Sequence, residues 1–126
     1  MSGEVVHFEV PVKDLKRAKK FYGDVFGWQF TEVPEMEYTL VNTTPSDENG
    51  RPKEPGSING GMGKKGRPLL HPIITLEVDD IDKALKSVEA NGGNVEQKKL
   101  PVGDMGWTAY FKDSEGNIMG LWQSKA

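Results

Sequence analysis

The chain has 126 residues, of which 36% are hydrophobic and 28% charged, with a net charge of −3 and no cysteine. That length suits one compact domain, and the acidic balance lacks the basic face that a nucleic-acid footprint requires. No apolar run approaches the length of a membrane span, and without cysteine there is no disulfide, thiolate nucleophile or sulfur-ligated metal.

From Val5 the sequence alternates. Val6, Phe8 and Val10 oppose His7, Glu9 and Pro11, the period of two of a half-buried strand. Asp14 then stands where a helix cap accepts a hydrogen bond from an orphan backbone N–H. Leu15, Ala18, Phe21, Tyr22, Val25 and Phe26 fall on one helical face, and Gly27 ends the helix. Residues 27–31 and 36–41 read as two antiparallel strands around a turn at Pro34 and Glu35. Residues 42–56 are dense in turn formers and read as a mobile surface loop, and residues 57–62 as a short strand. The lysines and arginines at 16, 17, 19 and 20 and at 64, 65 and 67 read as solvated faces. Gly60 to Gly66 is no phosphate loop: it lacks the spaced leading glycine and the hydroxyl residue after lysine.

From Ile73 the pattern returns. Ile74, Leu76 and Val78 alternate with Ile73, Thr75 and Glu77, Asp80 takes the capping place, and Ile81, Ala84, Leu85 and Val88 form an apolar stripe. The pairs Asp14 and Asp80, Leu15 and Ile81, Ala18 and Ala84, and Tyr22 and Val88 are each 66 residues apart. A ladder running through cap and stripe together is the mark of tandem duplication. Residues 94–97 read as a strand, 100–106 as a loop, 107–112 as a strand, 113–117 as a tight turn and 118–122 as the last strand. Each half is therefore strand, helix and three strands. Module one spans about 4–63, a linker 64–70 and module two 71–123.

The stretches HFEVPVKDLKRAKKFYGDVFGW, LEVDDIDKALKSVEANGG and DSEGNIMGLWQ resemble the vicinal oxygen chelate superfamily, especially its glyoxalase-related and bleomycin-resistance-like members. The resemblance implies an α+β fold of paired βαβββ modules around a ligand cleft, a homodimer and a small-molecule ligand, while the lack of a membrane span or secretory pattern makes a cytoplasmic location the default expectation. It also implies a divalent ion (Zn, Ni, Mn or Fe) held by His and Glu from the first and last strands of both modules. One such ligand stands seven residues before the capping acid, a place held here by His7 and by Ile73. Another stands seven after the turn aspartate, where Gly120 follows Asp113, and the first module's last strand offers Asn59 but no carboxylate. One proper ligand falls short of the roughly three protein ligands of a catalytic metal. The expectation is thus a binding protein with a dismantled metal set, its cofactor absent.

His7 and Glu9 share a strand face and form the candidate acid–base pair. The alternative is an enzyme of lyase, isomerase or dioxygenase type using that pair, or a nonstandard metal site drawing on His71 and Glu77. Thr75, Glu77 and Gly120 are expected to line the cleft, and Trp107 to stack on a planar ligand. A hydrogen-bonded structural histidine is the bland alternative for His7, sheet packing for the tryptophans, and a turn before the strand for His71.

Overall fold

The computed structural model describes residues 3–125. They form two compact units, residues 7–72 and residues 3–6 with 73–125. The strands and helices are β1 (Val5–Val12), α1 (Leu15–Phe26), β2 (Gln29–Val33), a 3₁₀ turn at Pro34–Met36, β3 (Tyr38–Asn42), β4 (Gly60–Lys64), β5 (Ile73–Glu77), α2 (Ile81–Ala90), β6 (Asn94–Val102), β7 (Gly106–Lys112) and β8 (Ile118–Ser124). The sequence expectation of two βαβββ modules holds, and the class is α+β.

In the first unit β1 runs parallel to β4, β4 antiparallel to β3, and β3 antiparallel to β2. Parallel pairing of the first and last strands needs a long crossover, which α1, β2 and β3 supply. The β4 sequence GGMGK leaves little side chain on one face, and a Cβ at Gly60 would overlap the Phe8 carbonyl. The Asp14 carboxylate accepts a 3.0 Å bond from the Arg17 N–H, and Gly27 ends α1 at φ 76°. No residue of α1 is buried, and Phe21, Val25 and Phe26 are exposed. Only part of the expected stripe is covered. Tyr22 stacks on Trp28 with ring centroids 4.4 Å apart, and Trp28 meets Phe8 at 5.6 Å. An aromatic contact therefore anchors this helix.

Side-chain hydrogen bonds tie down the loop from 43 to 59, those of Asn59 above all. Asn59 accepts from the Thr43 N–H at 2.8 Å and donates to Ser46 Oγ at 2.8 Å and to the Gly50 carbonyl at 3.0 Å. Its turn is held by Asp47, which accepts from the backbones of Asn49 and Arg51.

In the second unit β5 runs parallel to β8, β8 antiparallel to β7, and β7 antiparallel to β6. The Gly3 N–H donates to the Glu77 carbonyl and the Glu77 N–H to the Glu4 carbonyl. Asp80 caps α2 at 3.2 Å to the Lys83 N–H, and Gln123 Oε1 accepts from the Ile81 N–H at 2.8 Å. Ile81 and Leu85 are buried with Ala109, Phe111 and Leu121, so this helix is seated as its periodicity predicts. One expectation is corrected: residues 100–102 belong to β6, with register shifts on either side of Gln97, and the loop shrinks to the residues before Gly106. Among the strands of this unit β6 pairs only with β7, so the missing N–H of Pro101 is tolerated there.

The two helices share a register but not a burial, so equivalent truncations separate. Ile81→Ala is expected to cost about 2–5 kcal/mol, and Leu15→Ala, 66 positions earlier, clearly less, measured by urea unfolding of the two variants.

Candidate functional site

His7 and Glu9 lie on the same face of β1, opposite Phe8, as alternation predicts. A third residue joins them. Tyr38 sits at the start of β3, which is separated from β1 by β4, and its hydroxyl lies 3.0 Å from His7 Nε2 and donates to Glu9 Oε2 at 2.7 Å. The phenol reaches β1 because the intervening strand has no side chain in its way. Gly61 pairs with Glu9 on one side and Leu40 on the other, Gly63 faces Tyr38, and a Cβ on Gly61 would overlap the Tyr38 hydroxyl. Glycine there is a condition for the contact.

Glu9 is only 8% exposed, while His7 and Tyr38 are half-buried. A buried carboxylate needs hydrogen-bond partners, and Tyr38 supplies one. Burial holds the His7 pKa below its ordinary 6.5, with the Glu9 charge offsetting part of that effect. The imidazole is therefore neutral at pH 7. Sequence analysis missed Tyr38 because the signal is spread over three strands: an aromatic in β3 and glycines at alternate positions of β4.

In the second unit Thr75, Glu77, Gly120 and Trp122 share one sheet face, Thr75 pairing with Gly120 and Glu77 with Trp122. Thr75 is buried, and its Oγ1 lies 2.7 Å from where a Cβ on Gly120 would stand. Ile73 is buried at the start of the same strand. Trp107 stands on the other face: it shares strand parity with Ala109 and Phe111 and packs on the core around α2, with Lys99 Nζ 5.3 Å from its ring centre. That contact gives the ring the sheet-packing duty expected as its alternative, and its stacking on a planar ligand stays an expectation. His71 is exposed in the turn before β5.

Gly61 and Gly120 hold equivalent places, each paired with the inward-facing first-strand residue of its own repeat, Glu9 and Thr75. Neither last strand thus offers a carboxylate at that place. Of the paired first-strand places, Ile73 has no donor, and His7 already has Nε2 engaged by Tyr38. Among the described residues no three His, Asp or Glu side chains gather as a metal site would need. No helix among the described residues is long and apolar enough to cross a membrane.

Comparison with known proteins agrees with the module order. The bleomycin resistance protein-like N-terminal family matches residues 4–44. A lactoylglutathione lyase of Haemophilus influenzae is 32% identical over 127 residues, covering 98% of this chain and 94% of the relative. A glyoxylase-like domain-containing protein of Didymella fabae is 29% identical, covering 96% and 94%. Among solved structures, a methylmalonyl-CoA epimerase of Streptomyces coelicolor shares the fold at a TM-score of 0.69 and 16% identity, covering 100% of both chains. Through kinship along nearly its whole length and duplicated βαβββ modules, the chain belongs to the vicinal oxygen chelate superfamily, in its glyoxalase-related branch.

Proposed function

We propose that this protein binds a small organic molecule against the face of its first unit that carries His7, Glu9 and Tyr38, and that it does so without the superfamily's divalent ion. The engagement of His7 Nε2 by the Tyr38 hydroxyl carries this reading, because the imidazole nitrogen nearest the other polar groups already has a partner. Gly61 and Gly120 support it, since a metal's Lewis-acid role calls for oxygen or nitrogen donors that glycine lacks. A half-buried imidazole, a phenol and a carboxylate offer a ligand directional hydrogen bonds, and Phe8 and Trp28 stiffen the strand behind them.

A second reading is favoured by the same hydroxyl. Since it joins His7 to Glu9, the pair is coupled for proton transfer, and kinship with a lactoylglutathione lyase makes a lyase or isomerase the enzyme class to test. The two readings part on one variant. If the protein only binds, His7→Ala leaves ligand affinity measurable in a thermal-shift screen of small organic molecules. For an acid–base enzyme the same change lowers kcat by about 100-fold or more.

Two further outcomes are expected. Dialysed protein carries well under one Zn, Ni, Mn or Fe ion per chain by elemental analysis, and adding those ions leaves Tm unchanged; about one tightly held ion per chain defeats the metal-free reading. The second concerns pH. Because the folded imidazole resists a proton that the unfolded chain accepts, the contribution of His7 to stability is full above the ordinary value of 6.5 and is lost as pH falls below it. Glu9 and Tyr38 are the groups that face the ring, and replacing His7 leaves both in place. Melting curves between about pH 7.5 and about pH 5.5 should fall more steeply for the wild type than for His7→Asn.

A further inference from the structure

We propose that Nδ1 of His7 is the proton acceptor of a metal-free acid–base centre in which Tyr38 fixes the imidazole tautomer and Glu9 fixes the direction of the Tyr38 hydroxyl. Hydrogen-bond polarity carries the assignment. An ionised carboxylate only accepts, so the 2.7 Å bond between Tyr38 and Glu9 is donated by the phenol. A phenol has one hydrogen, and with that hydrogen on Glu9 it has none for His7. The 3.0 Å contact is therefore donated by the ring, Nε2–H to the Tyr38 oxygen. Neutral imidazole carries a single N–H, so the lone pair lies on Nδ1.

Nδ1 is also the nitrogen that a ligand can reach. No described residue bonds it, and no fully buried side-chain nitrogen or oxygen among the described residues lacks a partner, so Nδ1 keeps some contact with solvent. On proton uptake there, the new cation keeps its Nε2–H bond to Tyr38, and the Glu9 carboxylate stabilises it through the shared hydroxyl. The proton leaves an O–H, an N–H or an activated C–H of the ligand, whose bonding pair stays behind as a transient anion. Return of the proton from Nδ1–H closes the cycle with no redox partner. Because Glu9 already supplies a buried negative charge, the site suits neutral small acids and disfavours ligands that arrive as anions. In the proton transfer Tyr38 and Glu9 are positioning residues, and His7 is the group that takes the proton.

This inference rests on the metal-free reading, and its test separates the two. Protein labelled with ¹⁵N-histidine contains two imidazoles, His7 and His71, and His71→Gln assigns them. At pH 7.5 the wild type is expected to show His7 with a protonated Nε2, its coupled proton slow to exchange, and a bare Nδ1. Tyr38→Phe keeps the ring but removes the acceptor, and is expected to lose that protected proton. A wild-type ring protonated on Nδ1 overturns the inference. Diethyl pyrocarbonate gives a measurement on unaltered protein: the bare nitrogen attacks a carbonyl, one ethoxycarbonyl group is transferred, and ethyl carbonate leaves to decay to ethanol and carbon dioxide. Mass spectrometry should find His7 acylated on Nδ1, whereas an unmodified His7 beside a fully modified His71 overturns the inference. Elemental analysis of the same sample reads the metal-free proposal independently.

Discussion

The absence of a side chain at Gly61 is the constraint on which the site depends. β4 lies between β3 and β1, and any Cβ there would occupy the place of the Tyr38 hydroxyl. With glycine in that position, a residue from one strand bonds two residues two strands away, which turns a half-buried imidazole and a buried carboxylate into one connected group. The energetic logic is that of a buried polar network: once Tyr38 is in place Glu9 has a hydrogen-bond partner, and without it Glu9 would lose that donor in a poorly solvated setting.

The repeats make this comparison internal to the chain. Gly61 and Gly120 occupy matching places, each paired with the inward-facing residue of its own first strand. In the first repeat the gap is crossed by a phenol, whereas in the second it is bordered by the Thr75 hydroxyl and the Cγ2 methyl group of Ile73. Duplication thus preserved strand pairing while the polar contents diverged, leaving a His–Tyr–Glu hydrogen-bonded group in one repeat and a threonine beside an isoleucine in the other. The helices diverged too. Asp14 and Asp80 cap alike, yet α2 seats Ile81 and Leu85 in an aliphatic core while α1 rests on the stacked Tyr22 and Trp28.

Much was legible beforehand because it is local. Strand alternation, the capping aspartates, the glycine that ends α1 and the 66-residue ladder each depend on residues within a few positions of one another, and the module order follows from them. The shared face of His7 and Glu9 follows from strand period alone. The face of Trp107 was left open, because adjacency to a glycine-rich loop does not fix a face. Its parity with Ala109 and Phe111 does, and it turns the ring toward the core.

The sequence by itself determined the repeat, the order of its elements and the glycines of the two last strands, since a side chain that is not encoded cannot be supplied by folding. Only the tertiary structure decided the partner of His7. Tyr38 lies 31 residues away, and its reach depends on a glycine in a third strand and on a pairing register that brings all three together. Contacts of that separation are set by sheet assembly, and no local pattern of residues encodes them.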